Sequence, residues 1–172
     1  MPDIGRMTLA PMMKEDGKVI GDFTLAKLAE DRFMIIGSGV AENYHLRWFH
    51  QHCPQDGSVA ITSRGLALTG LSIAGPKARD VLAALTNDDV SNESFRFMDI
   101  RMTHLGMVPV IIGRVSYTGD LGYEIWVATE YQRRLFDDIM AAGQDHGIRL
   151  VGSRALNALR LEKNFGSWAR EY

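Results

Sequence analysis

Three runs of strand-like alternation follow one another at the start of the chain with very little between them. MTLAPMM is joined to VIGDFTLAKL by the turn-forming KEDGK, and that run is joined to RFMIIG by the break AED. Runs spaced this closely pair most simply as hairpins, so the sequence predicts an antiparallel sheet as the first part of the fold. Helical and strand-like patterns then alternate. After GSG, residues 41 to 52 carry Tyr44, Trp48 and Phe49 at helical spacing, and Pro54 and Gly57 close the segment. SVAITSRGLALTGLSIAG reads as two strands around Arg64-Gly65, and Pro76 suits the first turn of a helix over KARDVLAAL.

Beyond the polar connector TNDDVSNES, the segment FRFMDIRMTHLGMVPVIIGRVSY reads as two or three strands, with Pro109 tolerated near a strand start or edge. A helix is expected from about 130 to 142, with Leu135, Ile139 and Met140 on one side and Gly143 stopping it. HGIRLVG leads into a last helix, SRALNALRLEK, able to bury Leu156, Leu159 and Leu161. This order fits an α+β fold, helices packed on antiparallel sheets. A chain of 172 residues supports one full core, so residues 1–172 are expected to form one domain. No repeat of 20 to 50 residues is visible.

Composition narrows the partners. Hydrophobic residues make up 46% and charged residues 23%, and a net charge of -2 gives no broad electrostatic reason to bind nucleic acid or a membrane. A small molecule or another protein is the expected partner. Apolar stretches such as VPVIIG fall far short of the roughly 20 residues that span a bilayer, and the N-terminus lacks the apolar core of a secretory signal. The single cysteine, Cys53, excludes an internal disulfide framework and fits a reducing compartment, with the cytoplasm as the default expectation. The chain stops at SWAREY directly after a helical segment, which suggests a piece of a longer polypeptide.

Several constellations look chemical and do not hold up. GSGVAE follows a strand and precedes a helix, as a dinucleotide-binding fingerprint would. Its third glycine position holds Glu42, whose charge would oppose a pyrophosphate. His45, His50, His52 and Cys53 are metal-ligand types, yet no histidine pair has the i, i+4 spacing of one helix face, and a partly exposed helix end explains them. Cys53 lacks a cationic neighbour other than these histidines to lower its pKa, so it reads as inert. No G-x-S-x-G elbow occurs.

SYTGDLGYE is different in kind. The runs RVSY and YEIWV flank a loop longer than the tightest hairpin needs, with Gly119 and Gly122 able to take positive φ or to approach a ligand closely. Tyr117 and Glu124 stand at its two edges, where they could line one pocket. A carboxylate there suits a ligand with two parallel N–H donors. An ordinary hairpin tyrosine beside a solvent-facing strand glutamate is an equal alternative.

That segment resembles the S-Y-T-G-E-L-G-Y-E motif of the aminomethyltransferase family, which includes the T-protein of the glycine cleavage system. KEDGKVIGDFTLAKLAEDRFMIIGSG is similar to the family's N-E-x-G-G-x-x-D-D-L-T hairpin, and RALNALRLEKNFGSWARE to its R-L-E-x-G helix, in the same order along the chain. GPKARDVLAALTNDDVSNESFRFM with NALRLEKNFGSW is nearest to the folate-binding C-terminal portion of dimethylglycine and sarcosine dehydrogenases. The resemblance implies the folate-binding fold of that family in partial form, without its N-terminal segment, its C-terminal barrel or any FAD domain.

It also implies roles. Glu124 matches the glutamate that holds the pterin's amino and ring N–H edge, Tyr117 a tyrosine packed on the folate, and Arg160 an arginine reaching the pterin from the neighbouring helix. Asp22 matches the second of two paired aspartates, the acid near the reacting nitrogens, with Gly21 in place of the first. Leu9 stands where an aromatic folate contact is frequent, and Ser38 replaces an asparagine. The implied cofactor is tetrahydrofolate, which takes up a one-carbon unit and becomes 5,10-methylenetetrahydrofolate. A carboxylate at that centre can steady developing positive charge or relay a proton, and no metal is needed. FAD would belong only to a separate upstream domain, and a flavin dehydrogenase domain or a lipoyl carrier is an expected partner. The longer protein is then an enzyme whose isolated fragment can be inactive. A non-catalytic scaffold and a nucleotide-binding module using GSGVAE are the competing readings.

Overall fold

The opening alternation becomes a three-stranded meander in the computed structural model of the chain, which describes residues 1–171. Strands β1 (Arg6–Met13), β2 (Val19–Ala29) and β3 (Arg32–Ile36) pair antiparallel in sequence order. Helix α1 (Glu42–His52) lies across one side of this sheet. The second sheet has the order β4-β7-β6-β5, from β4 (Leu68–Ala74), β5 (Ile100–Leu105), β6 (Val108–Gly113) and β7 (Gly122–Ala128), again antiparallel throughout. Helices α2 (Ala78–Ala83), α3 (Gln132–Ala142) and α4 (Ser153–Glu162) complete the fold. Antiparallel sheets with flanking helices are the α+β architecture expected from the order of elements.

Strand alternation divides the second sheet into two faces with different jobs. Val108, Val110 and Ile112 of β6 and Tyr123, Ile125 and Val127 of β7 join Val81 and Leu82 of α2 and Leu135 and Ile139 of α3 in the main core. The opposite face carries Ile111, Trp126 and Glu124. It meets the first sheet through Met7, Ala26 and Ile100, with Met34 and Ile36 packed around them. Gly113 makes that approach possible: a Cβ there would stand 2.8 Å from Met7 Cε and 3.1 Å from the Trp126 ring.

Four local expectations change. SVAITS is not a strand, because 58–64 is irregular and exposed except for partly covered Ile61, and β4 takes β7 as its partner. With no face to bury, nothing offsets the entropy of ordering that run. RVSY is not a strand either, since Arg114 pairs back with Asp99 and Met98 instead of forward with β7 (N–H to Asp99 carbonyl 2.8 Å, carbonyl from Met98 N–H 3.0 Å). In α1 the buried side chain is His45, while Tyr44 is exposed. In α4 it is Arg160, and Leu161 is 59% exposed. Gly143 does end α3 but in right-handed conformation; close packing by Ile148, 2.7 Å from a notional Cβ, is what requires glycine there. Pro109 precedes the part of β6 that pairs with β7, so its missing N–H interrupts no hydrogen bond between those strands.

Candidate functional site

Glu124 occupies the middle of β7, opposite Ser72 of β4 and Gly113 of β6. Both flanking residues are small, so the carboxylate rises from a low floor that Gly70, Ser72 and Ala74 continue along the sheet edge, all three exposed. Its β7 neighbours Tyr123 and Ile125 point the other way, into the main core. The glutamate therefore sits on the face turned toward the first sheet. Burial alone holds its carboxyl above the usual carboxylate range, and no described residue gives it a hydrogen bond or a charge.

Asp22 lies on the facing sheet. β2 is paired without interruption from Gly21 to Lys27, so Asp22 shares a face with Ala26, which packs toward the second sheet. Beyond Met7 and Ala26 that face is open: Leu9 is 66% exposed, and Asp22 is exposed opposite Pro11. Gly21 has no space for any side chain, since a Cβ would come within 2.5 Å of Phe23 and 2.9 Å of His45 Nε2. An aspartate at this position would require the Phe23 and His45 rings to shift.

The loop between β6 and β7 is braced by its own hydroxyls. Ser116 and Thr118 bond each other at 2.7 Å, and the Thr118 and Asp120 amides donate to Ser116 and Thr118. Gly119 does take positive φ, 77°. Both loop glycines, however, make room for protein: Gly119 for Lys163 and Gly122 for Ser116 and the Ile73 carbonyl. Tyr117 is 38% exposed, stacks on Phe165 at 6.4 Å and donates its hydroxyl to the Gly166 carbonyl at 3.0 Å.

Arg160 is the one charged group of the set that is fully covered, at 2% exposure. Its guanidinium donates to the Phe165 carbonyl and, as a fork, to both oxygens of Glu171, each at 2.9 Å. That pairing pushes the arginine's pKa up and the glutamate's down. Tyr117 and Arg160 thus meet at residues 165 and 166, whereas Asp22 and Glu124 stand on opposite sheets and share no hydrogen bond among the described residues. A polar cavity of about 520 Å³, lined by Arg6, Ser94, Arg96, Asp99 and Arg101 among others, includes none of the four.

Of the remaining candidates, His45, His52, Cys53 and Glu42 have structural partners, and His50 is exposed. His45 Nε2 donates to the Ile20 carbonyl at 2.8 Å, since a carbonyl can only accept, and its ring packs on Phe23. His52 bonds the Trp48 carbonyl and Cys53 the Val59 carbonyl, and no three metal-ligand side chains converge among the described residues. Glu42 accepts from Ser63 and from the Gly65 amide, so the acid of GSGVAE fastens the 63–65 loop to α1.

A family model described as the GCVT N-terminal domain matches residues 2–172. The chain belongs to this family. Human mitochondrial dimethylglycine dehydrogenase is 36% identical over 172 residues, 99% of this chain and 20% of that protein. The sarcosine oxidase alpha subunit of Corynebacterium sp. strain P-1 is 34% identical over 94% of this chain and 17% of its own length. The chain therefore spans about a fifth of the length of these two curated relatives. Among solved structures, the glycine cleavage system aminomethyltransferase T from Bartonella henselae superposes with a TM-score of 0.80 at 24% identity, over 94% of this chain and 42% of that one. The fold is that of the aminomethyltransferases, in part, as the sequence motifs imply.

Sequence reasoning missed Ser72 and Gly113, whose small size uncovers Glu124, and Trp168 and Glu171, which hold the tail near Tyr117 and Arg160. The alternation of small residues in TGLSIAG was the available signal for the first. No sequence spacing announces the second.

Proposed function

We propose that this domain binds tetrahydrofolate and serves one-carbon transfer to 5,10-methylenetetrahydrofolate, coupled in the longer protein to oxidation of an N-methylated glycine. The observation that carries the reading is Glu124: a half-buried carboxylate without a donor among the described residues, on an uncovered floor between two sheets. Such a group is costly unless a ligand completes it. A pterin edge with adjacent amino and ring N–H groups supplies the two parallel donors that a carboxylate accepts. Family membership and the dehydrogenase relative support the same ligand.

When bound, tetrahydrofolate supplies the nitrogens that receive the carbon. Glu124 fixes the orientation of the ring system, and Tyr117 offers an aromatic face at the edge of the same region. Asp22, exposed on the facing sheet and without a hydrogen bond or ion pair among the described residues, is free to steady positive charge or move a proton at the reacting nitrogen. Arg160, buried beneath residues 165 and 171, supports the segment on which Tyr117 packs. Any flavin chemistry lies in a separate FAD domain, with a flavin dehydrogenase domain or a lipoyl carrier as the partner that delivers the carbon. A reducing, cytoplasmic setting suits the single cysteine, although the human relative is mitochondrial by name.

In the full-length protein, Glu124→Ala is expected to weaken reduced-folate binding by roughly 1–3 kcal/mol, because a buried donor pair loses its acceptor. Calorimetry returning the parental affinity rejects the assignment. Asp22→Asn should lower turnover more than it lowers affinity, and equal turnover removes Asp22 from the chemistry. A parent that binds no reduced folate would leave the domain a scaffold.

A further inference from the structure

After α4 the chain returns across the molecule as a strap, residues 163–171, anchored on Tyr117 of the proposed site, on the start of β2 and on α1. Trp168 donates its indole N–H to the Val19 carbonyl at 3.1 Å, three residues from Asp22, and stacks on Tyr44. Gly166 accepts the Tyr117 hydroxyl, and Lys163 approaches Asp120 at 4.0 Å. Arg160 holds the strap from beneath. Its two Nη1 protons go to the Phe165 carbonyl and Glu171 Oε2, Nη2 donates to Glu171 Oε1, and Nε points to Asn157 Oδ1 at 3.4 Å. Glu171 also accepts the Ser167 amide at 2.6 Å, closing the turn that carries Trp168. A guanidinium so covered has one N–H left and no exposed surface to offer a ligand.

We propose that Arg160 is a positioning residue, which together with Glu171 latches the 163–171 strap and so sets the place of Tyr117 at the site and of Trp168 against α1. This deepens the folate reading and rests on it for the ligand, but the latch itself does not. Arg160 acts on binding through the strap, and Glu171, which no sequence motif assigned, is as important to binding as Arg160.

The test compares the full-length parent with Glu171→Gln, Arg160→Lys and the double variant. Glu171 is exposed, so its variant is expected to keep the fold even if the buried Arg160 position does not tolerate lysine. In the ligand-free protein, Glu171→Gln is expected to speed amide exchange of residues 163–171 and of Tyr117 by about tenfold, as local opening becomes easier. The Trp168 part of the emission, isolated by subtracting a Trp168→Phe variant, should shift to the red. Affinity for 5-formyltetrahydrofolate should fall by about tenfold in either single variant, and the double variant should be no weaker than the singles. Unchanged exchange in Glu171→Gln overturns the latch. So does weaker folate binding in Arg160→Lys with parental binding in Glu171→Gln, which would mark direct contact. A parent that binds no folate overturns the functional reading instead, and the exchange and emission measurements then decide the latch alone.

Discussion

Glu124 shows what a half-buried carboxylate with no hydrogen-bond partner among the described residues costs the folded chain. Burial raises its pKa above the unfolded carboxylate value, so between those two values the folded chain binds more protons than the unfolded one. Stability then falls as pH rises through that window, and the loss is complete above the raised folded pKa. Glu124→Gln is therefore expected to raise the urea midpoint of the ligand-free protein at neutral pH and to flatten the pH dependence just above the ordinary carboxylate range. The same variant should bind reduced folate less well. An unchanged pH profile would show that the carboxyl is already hydrated. Glu124 and Asp22 were legible as candidates because their motifs name them; that Glu124 has no partner was not, because only the packed structure removes water from it.

At the scale of elements, the hairpins of the first sheet were readable because period-2 alternation and short turns are local properties. Helix α3 was readable for the same reason, with Leu135 and Ile139 four residues apart and both buried. SVAITS and RVSY misled because alternation alone does not provide a partner strand. The β2–α1 contact adds a constraint the sequence hides. Gly21→Ala would push a methyl into Phe23 and toward His45, whose Nε2 hydrogen bond to Ile20 holds α1 on the sheet. The expected cost is about 1–3 kcal/mol of stability, as for overpacking in a filled core. Chemical denaturation that gives the parental midpoint would mean that α1 moves aside freely.

The whole molecule depends on how its two sheets are joined. Arg6 at the start of β1 pairs with Asp99 just before β5, 93 residues away, and Asp99 also accepts the Arg96 amide at 2.6 Å. Burial of Asp99 works to raise its pKa, but the Arg6 hydrogen bond, the Arg96 amide and the two positive charges outweigh it, and the net shift is downward. A depressed carboxylate stabilises the fold above its unfolded pKa and loses that contribution as pH falls through the folded value. Asp99→Asn is expected to lower stability at neutral pH by about 1–3 kcal/mol. The gap between variant and parent should then narrow toward acid pH; a constant gap in pH-dependent denaturation would argue that packing, not charge, joins the sheets.

By itself the sequence determined the antiparallel strands, the α+β class, the family and the residue types that the proposed folate site uses, because periodicity, turn chemistry and short motifs act over a few neighbouring positions. Only the tertiary structure decided that Asp22 and Glu124 stand on facing sheets, that Gly21 excludes a side chain, and that Arg160 is given to Glu171. Those outcomes rest on contacts such as Trp168 with Val19, 149 residues apart, and on burial, which removes water from chosen groups only after distant segments have packed.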